Sequence, residues 1–275
     1  MSVWDFHDDS SAFAFAAGLE SVVQRQFSVN LPVAQTIQTL EFTTPVTFFV
    51  GENGSGKSTL LEALACAVES ITVGIESVKT DPCLAAQREL SKYFRLVWTK
   101  RTHKGFFLRA EDFFGYAKQQ NQLRAEMGSD LRDVALEYKD RSAYARALAS
   151  MSYAGQLSDM RRRYGDGLDV GSHGESFLAL FQSRFVPGGL YLLDEPEAPL
   201  SPMRQLALIA MIKEMIAQDS QFIIATHSPI LMAFPGATIL SFDEGEIKPA
   251  DYEDLESVRL MRDFLQNPGT FLQHL

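Results

Sequence analysis

Cysteine is scarce in this chain, with two in 275 residues, Cys66 and Cys83. Two cysteines at this spacing fit no zinc or iron–sulfur pattern, so the expectation is a pair of reduced thiols. Long apolar runs are missing as well. No segment approaches the roughly 18 uninterrupted apolar residues of a membrane span, which excludes membrane insertion by a helix. The first twenty residues, MSVWDFHDDSSAFAFAAGLE, are acidic where an export signal would be basic, so the expected location is cytoplasmic. A positive charge balance is also lacking. With a net charge of −10, the chain does not coat nucleic acid through its overall field, and only local basic clusters remain for such contacts. Sustained heptads are absent, which excludes a long coiled-coil arm.

What is present is enough apolar content, 46%, for one large core. Val46 to Val50 is β-branched and aromatic and reads as a buried strand. Leu60, Leu61, Leu64 and Val68 fall on one face of a helix over Ser58 to Val68. Between them lies GENGSGKST, Gly51 to Thr59, which fits G-x-x-x-x-G-K-[ST] in the strand–loop–helix context the pattern requires. Gly51, Gly54 and Gly56 allow a tight turn whose N–H groups and helix N-terminus face an anion. Lys57 is placed to reach the β- and γ-phosphates of a nucleoside triphosphate, and Ser58 to offer its hydroxyl to Mg2+.

An early strand is expected within Leu31 to Phe42. Trp4, Phe6, Phe13, Phe15 and Phe27 read as packing residues. Tyr93 to Trp98 and Gly105 to Leu108 read as two strands of a hairpin around the basic link Thr99 to Lys104. Helices are expected around Tyr116 to Glu126 and Asp130 to Ala149, within an inserted helical lobe of about residues 113–170 in a single domain spanning 1–275. Further on, Leu190 to Leu193 reads as a buried parallel strand ending in Asp194-Glu195-Pro196, and Phe222 to Ala225 as another ending in Thr226-His227-Ser228-Pro229. An amphipathic helix from Pro202 to Gln218 lies between them. A last hairpin pairs Thr238 to Phe242 with Glu246 to Lys248. The expected fold is α/β, a mostly parallel P-loop NTPase sheet flanked by helices, with some antiparallel strands.

Asp194 at a strand end suits a Mg2+ ligand opposite Ser58, and Glu195 suits polarisation of an attacking water. The four motifs together resemble the ATP-binding-cassette (ABC) class of ATPases, in its small soluble branch related to the RecF and SMC type proteins. GENGSGKST resembles the class's Walker A, YLLDEPE at 191–197 its Walker B with catalytic glutamate, and ATHSP at 225–229 its switch-histidine motif. Ser172-His173-Gly174-Glu175-Ser176 stands where the class carries its signature.

The resemblance implies ATP and Mg2+ as cofactors. Gly51, Asn53, Gly54, Ser55, Gly56, Lys57, Ser58 and Thr59 would bind ATP, Ser58 and Asp194 the metal. Glu195, His227 and Lys57 would be catalytic. It also implies that Ser172, Gly174 and Glu175 meet the nucleotide of a second copy, so that ATP closes a head-to-tail homodimer, with Ala198 to Ser201 at the junction. Adenine over guanine follows from the resemblance alone. The signature departs from the class in its flanks, and no lobe-linking glutamine is evident. Arg109 or Glu111 is a candidate replacement, the alternative being a surface ion pair. Candidate outputs are DNA maintenance or phage defence, with DNA or a nuclease or toxin as partner and Lys100, Arg101, Lys104 and Arg161 to Arg163 as a candidate basic stripe. The alternatives are the cassette of a membrane transporter and a low-turnover nucleotide switch.

Overall fold

The computed structural model describes residues 15–19, 39–74, 76–164 and 173–273. In chain order these form β1 (Phe15–Leu19), β2 (Thr39–Phe42), β3 (Val46–Val50), α1 (Lys57–Ala67), α2 (Ala85–Ser91), β4 (Phe94–Trp98) and β5 (Gly105–Arg109). There follow α3 (Ala110–Glu137), α4 (Ala143–Tyr164), α5 (His173–Arg184), β6 (Leu190–Asp194), α6 (Pro202–Ile216) and β7 (Gln221–Ala225). The chain continues through α7 (Pro229–Met232), β8 (Thr238–Ser241), β9 (Lys248–Pro249), α8 (Glu256–Gln266) and α9 (Pro268–Leu272). Trp4, Phe6, Phe13, Phe27, residues 31–38 and Ser172 fall outside the described residues, as do the side chains of Phe15 and of Arg161 to Arg163.

The central sheet has the order β5-β6-β7-β3-β8-β9, parallel except where β9 returns antiparallel beside β8. Strands β3, β6 and β7 are buried at every position, which is why they read as continuous apolar runs rather than alternating ones. Alternate residues nonetheless serve two cores. Phe48, Tyr191, Leu193, Phe222 and Ile224 face Phe113, Phe177, Phe181, Leu208 and Ile212 of α3, α5 and α6. Phe49, Leu192 and Ile223 face Leu60, Leu61 and Leu64 of α1, with Leu40 and Phe42 of β2 behind.

The final hairpin forms as expected, with its turn at Asp243–Gly245. The hairpin expected around Thr99 to Lys104 does not form. β4 joins β1 and β2 in a separate antiparallel sheet, while β5 pairs in parallel with β6 at the edge of the central one. Two adjacent strands need not pair when each finds a longer-range partner. Here Phe107 is fully buried beneath α1, and Val97 is exposed.

The helical segment also differs from its expected boundaries. α3 runs 28 residues without a break at Gly128, starting at Ala110 directly after Arg109, the last residue of β5, with Glu111 and Asp112 in its first turn complementing the helix dipole. The break comes at Tyr138 to Ser142, where the Ser142 hydroxyl accepts the Ala145 N–H at 3.2 Å and opens α4. α4 then packs back along α3. Only the root of α3, through Phe113, Tyr116 and Ala117, enters the core.

Candidate functional site

The C-terminal ends of β3, β6 and β7 bring the motif residues together. After β3, Gly51, Gly54 and Gly56 all take positive φ, of 141°, 81° and 100°. A side chain on Gly56, the left-handed residue that opens α1, would carry a backbone cost that glycine avoids. At Gly51 a Cβ would lie 3.0 Å from Asp243 Oδ1 and 3.2 Å from Ser55 Oγ, so the loop is also packed too closely for one. Lys57 is only 4% exposed, and its ammonium donates to Gly51 O and Glu52 O, each at 2.8 Å. Burial lowers its pKa, against the nearby carboxylates of Glu195, Asp194, Asp243 and Glu197. Asp243, in the β8–β9 turn, accepts the Glu52 N–H at 3.1 Å and the Ser241 hydroxyl at 2.7 Å, fastening the start of the loop to the neighbouring strand.

Ser58 Oγ donates to Asp194 Oδ1 at 3.0 Å, joining the loop helix to the end of β6. Burial pushes the Asp194 carboxyl up to about 7, opposed by the Ser58 bond and reinforced by Glu62, Glu195 and Glu111. Such an excess of buried negative charge is an environment that a cation relieves. Glu195 holds a left-handed backbone at φ 48°, with its amide bonded to Ala225 O at 2.9 Å. A non-glycine residue kept there stores backbone strain that the surrounding loop must hold. His227 Nε2 lies 3.8 Å from Glu195 Oε1. Glu197, in the same turn as Glu195, accepts the His227 amide N–H at 2.7 Å, and burial raises its pKa. Glu52, Asn53, Glu195 and His227 line an open cleft of about 510 Å³, within the usual range of ligand sites.

Two segments of the chain match known families, both described as AAA domains. Residues 27–148, which include the phosphate loop, match the AAA domain family, and residues 176–233, which include Asp194 to His227, match the family described as "AAA domain, putative AbiEii toxin, Type IV TA system". This chain is a P-loop ATPase with AAA-domain matches. No curated protein matches the ATPase. Among solved structures, it is similar to a putative metal-chelate type ABC transporter in an inward-facing conformation, at 17% identity and TM-score 0.44, covering 89% of the ATPase and 85% of that chain. It is also similar to the Smc head domain of Pyrococcus furiosus with an extended coiled coil, bound to the C-terminal domain of ScpA (12% identity, TM-score 0.41, 92% and 98% covered). A third is cbiO1 from Clostridium perfringens, part of the ABC transporter complex cbiONQ (15%, 0.39, 86% and 92%).

The residues of the ATPase suit both expected cofactors. The Ser55 hydroxyl, inside the phosphate loop, is buried without a hydrogen-bond partner, a donor suited to a phosphate oxygen. Among the described residues no group of three or more His, Cys, Asp or Glu forms a metal cage. Mg2+ needs no such cage when one or two protein ligands share it with phosphates and waters, so Ser58 and Asp194 meet its usual demand.

The signature segment lies elsewhere. Gly174 is buried against Arg204 and Pro199, so closely that a Cβ would sit 2.7 Å from Arg204 Cδ. Glu175 pairs with Arg204 at 2.8 Å, and neither residue is among the four that line the cleft. Arg109 is not a surface ion pair. It is 9% exposed and binds Asp112 at 2.6 Å, Asp81 at 2.7 Å and Glu62 at 3.4 Å, with Glu111 only at 3.8 Å. Lys100 faces Asp219 at 3.6 Å and Lys104 donates to Pro187 O at 3.3 Å. Their link enters the N-terminal end of β5, away from the strand ends that carry the cleft. No described helix is long and apolar enough to cross a membrane. Glu197, Asp243 and Glu62 were not singled out from sequence. For Glu197 the signal was its place in DEPE, two residues beyond the general-base candidate.

Proposed function

We propose that the ATPase hydrolyses Mg-ATP in the cleft between Gly51–Thr59 and Glu195–His227, and that ATP draws two copies into a head-to-tail dimer. The observation that carries the reading is Glu195. Its backbone is held at φ 48° and its carboxylate lines the cleft beside Asn53, opposite the loop that would hold the phosphates. Lys57 and the loop amides bind the β- and γ-phosphates, and the Ser55 hydroxyl supplies one further donor. Ser58 and Asp194 hold Mg2+, which supplies charge neutralisation on the phosphate oxygens when bound. Glu195 accepts a proton from the attacking water, and His227 contacts the γ-phosphate side of the cleft.

The open form of the cleft supports the dimer. Gly174 and Glu175 do not line it in their own chain, so donors that close over the γ-phosphate would come from the signature of a second copy, with Ser172 included. Residues 113–170 form, in this reading, a helical lobe on a single ATPase domain over 1–275. We place the output in DNA maintenance or phage defence in the cytoplasm. The match of residues 176–233 to a family described as a putative toxin supports the defence reading, with DNA or a nuclease or toxin as the partner.

The test is the mass of Glu195→Gln in solution by light scattering, with and without Mg-ATP and with duplex DNA in parallel. Doubling of the mass on ATP alone supports the dimer, and a heavier DNA-bound species supports the DNA reading. Lys57→Ala should lose nucleotide binding, and Glu195→Gln should keep it while losing turnover by about 10²- to 10⁴-fold. Equal phosphate release by Glu195→Gln and the parent protein would refute Glu195 as the base.

A further inference from the structure

We propose that Glu197 is a positioning residue, a side-chain tether that holds His227 over the cleft in register with Glu195. The proposal rests on the hydrolysis reading above. Glu195 and His227 leave different strands, β6 and β7, and each sits on a loop just past its strand end. Their side chains are about half exposed and 3.8 Å apart, so side-chain packing does not fix their spacing. Beyond the Glu195 N–H to Ala225 O bond at the strand ends, Glu197 Oε1 accepts the His227 amide N–H at 2.7 Å and ties the His227 loop to the Glu195 turn.

Both ends of that bond are anchored. On the β6 side, the Ala198 N–H donates to Glu195 O at 3.0 Å and the Leu200 N–H to Glu197 O at 2.8 Å, closing a turn that carries Glu195 and Glu197 together. On the β7 side, the Ser228 N–H donates to Thr226 Oγ1 at 3.0 Å, and the Ser228 hydroxyl donates to Gln205 Oε1 at 2.5 Å. His227 lies between those two anchored residues, and its own amide is the group that Glu197 captures. The Thr226 hydroxyl, from the residue before His227, also stabilises the ionised Glu197 carboxylate and gives the turn a second tie to the β7 loop. Burial raises the Glu197 pKa, opposed by its bonds to Thr226 and the His227 amide. Because reacting groups displaced by about 1 Å can lose a hundredfold in rate, a single bond that sets the reach of His227 is sufficient to matter for turnover.

Three variants and two readouts test the tether. Glu197→Gln keeps an acceptor oxygen at the same reach, Glu197→Asp keeps the charge but shortens the reach by one methylene, and Glu197→Ala removes both. The expected result is a kcat lowered tenfold to a hundredfold in Glu197→Ala and Glu197→Asp, with the nucleotide Kd unchanged within twofold and kcat largely restored in Glu197→Gln. The His227 amide should exchange with deuterium at least tenfold faster in the Ala and Asp variants than in the parent and Gln proteins. Unchanged kcat in the Ala or Asp variant, or a Gln variant as slow as Asp, would overturn the proposal, as would unchanged exchange at His227. The exchange readout does not depend on turnover. If the parent protein and Glu195→Gln release phosphate equally, the hydrolysis reading fails, while protection of the His227 amide still decides whether Glu197 tethers it.

Discussion

Replacing Arg109 with Met should remove the positive centre of a buried acidic cluster. The guanidinium is 9% exposed and meets Asp112, Asp81 and Glu62, which come from three separate segments of the chain. Met fills much of the stem volume, so the main loss is charge compensation and not packing. Removing one partner of a buried ion pair costs about 3–5 kcal/mol because the remaining charge stays buried. Asp112 is 25% exposed and can turn towards water, which favours the lower end. At a chain length near 275 residues, about 2 °C of Tm per kcal/mol turns this into a drop of about 6–10 °C.

The pH dependence gives a sign that simple loss of packing would not. Burial pushes the Asp81 carboxyl up, but the Cys83 amide and Arg109 outweigh it and hold it below its ordinary value. In the parent protein Asp81 therefore contributes stability above that ordinary value, and this is lost as pH falls through the lowered one. Glu62 is raised, by burial first, so its ionised form already costs stability above its folded pKa, with Arg109 limiting the cost. Without Arg109 both carboxyls rise, and the deficit of the variant should shrink as pH is lowered from 7 towards 4. Thermal unfolding by circular dichroism over that range measures it. A deficit below about 1 kcal/mol at pH 7, or one that grows on acidification, would refute the cluster as described.

Gly105→Ala should cost more than about 4 kcal/mol and leave little folded protein, since the new Cβ would stand 1.8 Å from Leu190 O at a position with φ 106°. The soluble yield and the unfolding midpoint in urea check it. Cys83 is exposed, while burial pushes the Cys66 thiol up to about 11, so at pH 8 roughly one Cys66 in a thousand is thiolate. Mass spectrometry after brief iodoacetamide treatment should find one adduct, on Cys83, with a second only under denaturant. Asp243→Ala should weaken nucleotide affinity about five- to tenfold by releasing the Glu52 amide at the start of the phosphate loop, read by titration with a fluorescent ATP analogue.

The phosphate loop, the strands that flank it and the ends of β6 and β7 were legible because fully buried parallel strands write continuous apolar runs, and the motif residues follow them directly. The assignment of β4 and β5 to different sheets was not legible. Proximity along the chain favours a hairpin, and only the competing partners, β1 for β4 and β6 for β5, decide otherwise. The short FAAGL of β1 carries no strand signal of its own. The length of α3 was hidden by Gly128, a half-buried position with nothing within 4 Å of a Cβ, where a glycine costs about 1 kcal/mol and does not end the helix. Arg109 looked like a surface charge because nothing local shows that Asp81 and Glu62, far apart in sequence, converge on it. Glu197 carried the same ambiguity as any acidic residue after a proline turn, and its role depends on an amide contributed by another strand.

The junction between β5 and α3 has a mechanical meaning. The strand ends at Arg109 and the helix begins at Ala110, with no connecting residues to absorb a rotation. β5 lies in register with β6, Arg109 opposite Asp194, so the helix root is geared to the strand that carries the Mg2+ candidate. Twenty-eight helical residues make a rod of about 42 Å. A tilt of about 5° at its root would sweep the tip through about 4 Å, so a sub-ångström adjustment around Asp194 would be read out at the far end of the rod as a displacement larger than a helical residue's rise.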